Sequence, residues 1–148
     1  MIKIKFLGTP SYVQPIKDEL AKHSTLVDSL DEADLAVIAA HGKILSKEEL
    51  EKPKFGCVNV HPSLLPKYRG SSPIQAAILN GDKTSGITII KMDEQVDHGP
   101  IVAVEKYQIP NNQNYPELRG QLAKLGADLL AKILPDYLSG KITPTAQD

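Results

Sequence analysis

An α/β fold, with a doubly wound and mostly parallel twisted sheet and helices on both faces, follows from three features of the sequence. Strand-like and helix-like segments alternate over most of the chain, the pattern of a sheet wrapped by its own crossovers. The run "ADLAVIAA" (33–40) is continuously apolar, as in a strand buried on both faces. Near the C-terminus, Leu118, Leu122, Leu125, Leu129, Ile133 and Tyr137 recur at helical spacing, forming the clearest amphipathic helix of the chain. A length of 148 residues, 41% hydrophobic and 24% charged, suits one domain with one core, residues 1–148.

Each element has its own signal. "IKIKFL" alternates and reaches Gly8, which predicts a strand and a turn; Val13, Ile16 and Leu20 then mark a helix. A short strand is predicted near 25–28. Ser46, with Glu49 three residues on, is a capping box for a short helix ended before Pro53. "GCVNVH" is a second buried strand, "SPIQAAILNGD" a helix ending near Gly81, and "GITIIKM" and "PIVAVEKYQI" two further strands. The last helix has Pro116 in its first turn and Gly140 after its end.

Composition narrows the function classes. The single cysteine, Cys57, excludes an internal disulfide framework and multi-cysteine zinc patterns, and it is expected to be a small buried apolar residue in a reducing, cytoplasmic setting. "MIKIKFLG" lacks the apolar core of a signal peptide, and no segment approaches membrane-spanning length. The formal charge of −1, with lysines spread among acids, lacks the one-sided basic surface of a nucleic-acid binder. The turn "FLGTPS" has one glycine and no dinucleotide fingerprint, and there is no P-loop. The histidines, His23, His41, His61 and His98, show no metal-ligand spacing, so no metal is expected.

The stretch "NVHPSLLPKYRGSSP" carries the chemistry. Asn59 and His61 stand two apart on a strand and so share one side, at the strand end where ligands gather in α/β sheets. A carboxamide and an imidazole held together can polarise a carbonyl and donate to a developing oxyanion. Leu64 and Leu65, between prolines, either wall a site or fold back on the core. In "KMDEQVDHGP", Asp93 or Asp97 can orient His61 as the carboxylate does in a catalytic triad.

The combination "NVHPSLLPKYRGSSPIQAAILNGD…SGITIIKMDEQVDHGPIV" resembles the catalytic core of the 10-formyltetrahydrofolate-dependent formyltransferases, from about residue 34 onward. "FLGTPSY" and "RGSSPIQ" are most similar to the methionyl-tRNA formyltransferase branch and also fit enzymes that formylate amino sugars on nucleotide carriers. The resemblance implies a Rossmann-like sheet, here reduced at one edge because only about residues 22–33 separate the first helix from the apolar strand. It implies Asn59, His61 and Asp97 as the catalytic trio, with no metal. Gly42, Lys43, Ile44 and Leu45, with Val96, His98 and Gly99, are the expected contacts of the 10-formyltetrahydrofolate donor. Ser63, Leu64, Leu65, Pro66 and Arg69 are expected on the acceptor side.

The expected reaction is formyl transfer to a primary amine, the alternatives being hydrolysis of the donor or folate binding without turnover. No segment corresponds to the C-terminal tRNA-holding domain of that branch. With only Lys43, Lys67, Arg69 and Lys91 as a local cationic rim, weak or no retention of tRNA is expected. The reduced sheet edge points to a homodimer.

Overall fold

The computed structural model describes residues 1–148, whose strands form one six-stranded sheet. In chain order the elements are β1 (Lys3–Leu7), α1 (Gln14–His23), β2 (Thr25–Leu26), β3 (Leu35–Ile38), α2 (Lys47–Glu51), β4 (Cys57–His61), α3 (Pro73–Leu79), β5 (Thr84–Lys91), β6 (Ile101–Gln108) and α4 (Tyr115–Leu138). Strand order is β2-β1-β3-β4-β5-β6. The first four strands run parallel; β5 is antiparallel to β4, and β6 to β5. The chain leaves β1 for β2 on one side and returns to β3 on the other. That reversal opens a crevice at the carboxyl ends of β1 and β3, where α/β sheets place their ligands.

The helices form where the sequence signals stand. Ser46 and Asn114 each close a capping box, with Glu49 and Glu117. Val13 lies in a 3-10 turn, and α1 starts one residue later. The sheet edge is indeed reduced, β2 being two residues long, and that brevity leaves little unpaired backbone to cover.

Both faces of the sheet are covered, but unequally. On one, Ile16, Leu20, Ile74, Leu118, Leu122 and Leu130 from α1, α3 and α4 pack on Ile4, Leu35, Val37, Val58, Val60, Ile87 and Ile89. This is the main core. On the other, Ala36, Ile38 and Cys57 meet only Leu45 and the partly buried Leu7, Leu30, Leu50 and Met92. No long helix lies there; the one-turn α2 and the loop before it do the covering. Strand alternation points Asn59 and His61 to this thin face, beside Cys57, while Val58 and Val60 enter the thick core.

Candidate active site

Neighbouring strands fix where Asn59 and His61 stand. Asn59 is in register with Ile38 of β3 and Ile90 of β5, and His61 with Thr88 of β5. The third group comes from the turn after β5. Asp97, buried at 8% exposure and at φ 51°, puts Oδ1 3.4 Å from Asn59 Nδ2 and 3.5 Å from His61 Nδ1. Its Oδ2 accepts from the Gly70 amide at 2.8 Å. Gly70 has φ 105°, a conformation natural to glycine, and so can turn its N–H toward the carboxylate. The other imidazole nitrogen, Nε2, is 2.9 Å from the Tyr68 carbonyl. A carbonyl oxygen only accepts, so Nε2 carries the proton. Tyr68 is itself pinned: its hydroxyl donates to Asp82 at 2.7 Å and accepts from Asn80 Nδ2 at 2.8 Å.

The trio borders a cavity of about 450 Å³. Its wall includes Ile38, Ala40, Ile90, Met92 and the expected donor contacts Gly42, Lys43, Ile44, Leu45 and Val96. Pro10, Tyr12, Ser71, Pro73, Ile74 and Tyr115 also line it. The Arg119 guanidinium sits over both tyrosine rings, 5.2 Å from the Tyr12 ring centre and 5.1 Å from that of Tyr115. No group of three or more His, Cys, Asp or Glu side chains is gathered to hold a metal ion.

Several expected contacts lie elsewhere. His98 turns outward, its Nδ1 2.9 Å from Asp93 Oδ2, and is not on the cavity wall. Burial opposes ionisation of Asp93, but the His98 contact and the Gln95 amide outweigh it and hold its carboxyl below the usual value. Asp93 lines the cavity, yet its carboxylate is taken by His98 rather than His61. Gly99 is a packing residue: a Cβ there would stand 1.9 Å from the Lys91 carbonyl oxygen.

The acceptor-side expectation needs a larger correction, since Ser63, Leu64, Leu65, Pro66 and Arg69 are all absent from the cavity wall. Buried Thr88 explains why. Its hydroxyl donates to the Ser63 carbonyl at 2.7 Å and accepts from the Leu65 amide at 3.0 Å, drawing the loop onto β5. Leu65 is buried there, Leu64 packs over Gly86, and the Ser63 hydroxyl donates to the Lys67 carbonyl. Pro66 and Arg69 are exposed.

The structure adds His41, Tyr12 and Tyr115 to the wall. His41 ionises below its ordinary range, through burial first and Lys43 second. Its place directly before Gly42 in "AHGKIL" was the available signal. The tyrosines gave none, since they come together only where the 3-10 turn before α1, which holds Tyr12, meets α4, which begins at Tyr115.

A family model described as formyl transferase matches residues 3–134. A methionyl-tRNA formyltransferase of Listeria innocua is 46% identical over 142 residues, covering 96% of this chain and 45% of that protein. One from a Wolbachia strain of Drosophila simulans is 54% identical over 101 residues, 68% of this chain and 34% of the relative. The chain thus spans less than half the length of these curated relatives.

Among solved structures, the formyltransferase PseJ from Anoxybacillus kamchatkensis superposes with a TM-score of 0.81 at 22% identity, covering 99% of this chain and 82% of that one. It was solved with a formamido-sugar nucleotide and tetrahydrofolate. A methionyl-tRNA formyltransferase from Clostridium thermocellum gives 0.74 at 20% identity, covering 100% of this chain and 69% of that one. Such identities speak for the fold alone, but the family model spans most of the residues, and with it the chain belongs to the formyl transferase family.

Proposed function

We propose that this chain transfers a formyl group from 10-formyltetrahydrofolate to a primary amine, with Asn59, His61 and Asp97 as its catalytic residues. The observation that carries the reading is the meeting of a carboxamide, an imidazole and a carboxylate at one oxygen, Asp97 Oδ1, on the wall of a cavity of about 450 Å³. Contacts of 3.4 and 3.5 Å are long for hydrogen bonds, so the three groups can re-aim at a reacting atom placed among them.

The apolar part of the lining suits a flat heteroaromatic donor. Ile38, Leu45, Ile90 and Met92 offer apolar contact, and main-chain groups of the 40–45 and 93–97 loops are available to its polar edge. When bound, the donor supplies an activated formyl carbon. Asn59 Nδ2 donates to the oxygen on which negative charge develops, as does His61 through Nδ1–H in its doubly protonated form, its Nε2–H being held by the Tyr68 carbonyl. The Asp97 carboxylate holds the ring and, through water, helps move the proton lost by the attacking amine to the donor's nitrogen, which departs as its bond to the formyl carbon breaks.

Size and charge argue for a small acceptor. Lys67 is paired with Asp82 at 3.2 Å and Arg69 is engaged by Gln147, so of the four rim cations only Lys43 borders the cavity. A site with one or two free cations releases few counterions, and acceptor affinity should fall only shallowly with salt. The deciding experiment measures donor consumption with methionyl-tRNA, amino-sugar nucleotides and free amino acids at low and physiological salt, and without any amine. Amine-dependent turnover supports transfer; equal consumption without amine replaces transfer by hydrolysis; absence of tetrahydrofolate binding removes the reading altogether. Efficient, selective formylation of methionyl-tRNA at physiological salt would overturn the small-acceptor part. A homodimer would have only the two residues of β2 to pair across the reduced edge. A monomer mass in light scattering removes that expectation.

A further inference from the structure

After α4 the chain turns back along the sheet, and Thr145 pairs with Ile101 at the start of β6 through two backbone bonds of 2.7 and 2.9 Å. That anchor brings Gln147 against the turn that presents Asp97. Its Nε2 donates to the carbonyl oxygens of Asp97 and Gly99, at 2.9 and 2.8 Å. Its Oε1 accepts from Arg69 Nε at 3.3 Å and Nη2 at 2.8 Å. Both donors and both lone pairs of one carboxamide are thereby used.

Asp97 needs such a hold. Its φ of 51° lies in the left-handed region, which L residues adopt rarely and keep only where the surroundings fix it. The carboxylate also depends on a second loop, because Oδ2 is bound by the Gly70 amide, one residue after Arg69. The same carboxamide therefore touches both loops that meet at Asp97: it grips the turn on either side of His98, and it grips Arg69 next to Gly70.

We infer that Gln147 is a positioning residue, which sets the Asp97 carboxylate against Asn59 and His61 by clamping these two loops together. The inference rests on the catalytic roles proposed above. Gln147 touches neither the cavity nor the reacting atoms and acts only through Asp97 and Arg69.

The test uses Gln147→Leu, which removes every bond, and Gln147→Glu, which keeps an acceptor for Arg69 but cannot donate to the two carbonyls. Three quantities are read in the full chain: formyl transfer, tetrahydrofolate binding, and exchange of the Gly70 amide proton. Both variants should lower kcat about 10 to 100-fold, the scale of a small misplacement of a catalytic group. Tetrahydrofolate binding should be unchanged, and the Gly70 amide should exchange faster, since its partner Asp97 Oδ2 is no longer held. Wild-type kcat and wild-type Gly70 exchange in both variants would overturn the inference. An equal fall in binding and kcat, or loss of a cooperative unfolding transition, would assign Gln147 to the fold and overturn it as well. If the unsubstituted chain transfers no formyl group, the proposed function fails by itself, and Gly70 exchange still decides whether Gln147 positions Asp97.

Discussion

Asn59 and His61 reach the cavity because a strand presents alternate residues to one face, and β4 ends there. Removing one donor from an oxyanion site costs on the order of 100 to 1,000-fold in turnover. Asn59→Ala should lose about that much, with tetrahydrofolate affinity nearly kept, as measured by steady-state kinetics beside equilibrium binding; near-full turnover would remove Asn59 from its role. On the same face, Cys57 is buried under α2, and burial pushes its thiol up from 9.0 to about 11. A raised value means that folding favours the protonated form, so its contribution is whole below pH 9 and lost as pH climbs toward about 11. Urea unfolding across that range should show the decline, and Cys57→Ala should flatten it. The strand pair was legible in the sequence because alternation is local geometry. The inward fold of Ser63 to Leu65 was not, because it depends on Thr88, on another strand and 25 residues from Ser63.

At the scale of elements, the turn between β5 and β6 carries the Asp97 carboxylate and closes tightly on its own start. Its closure depends on Gly99, where any side chain would strike the Lys91 carbonyl. Gly99→Ala must therefore push the turn away from β5. It should destabilise by about 1–3 kcal/mol, the usual cost of overpacking, and lower kcat more than it weakens donor binding; denaturant titration and kinetics check both. Helices and strands were legible from period and caps: the box at Ser46, the stripe from Leu118 to Tyr137 and Pro116 in its first turn mark α2 and α4 without tertiary information, while the second box, at Asn114, emerged only from the structure. Strand direction was less so. The short link from β5 to β6 requires an antiparallel pair, but the link from β4 to β5 contains α3 and is long enough for either sense. The Gln147 clamp left no trace in the sequence, since it exists only where the tail happens to pair with β6.

For the whole molecule, the alternation of elements made the α/β architecture legible, while the imbalance between its faces emerged only from packing. No helix is long and apolar enough to cross a membrane. The thick face holds three helices; the thin face, to which Asn59 and His61 point, holds one turn of helix and loops. Ile38, Leu45 and Met92 belong both to the small cluster on that face and to the wall of the cavity. A flat donor lying against them would occupy the space that a packed layer fills in an α/β protein covered equally on both sides. Substrate would then serve as structural filling, so that affinity and thermal tolerance become one quantity. At a concentration 100 times its dissociation constant, a ligand that binds only the folded state adds about 2.7 kcal/mol. Tetrahydrofolate should accordingly raise the melting temperature and slow amide exchange at Ile38 and the 40–45 loop, leaving α4 little changed; uniform slowing would mean that the two faces do not differ in this way. On the proposed function, a cell that exhausts its reduced folate would lose part of the protein's durability together with its turnover.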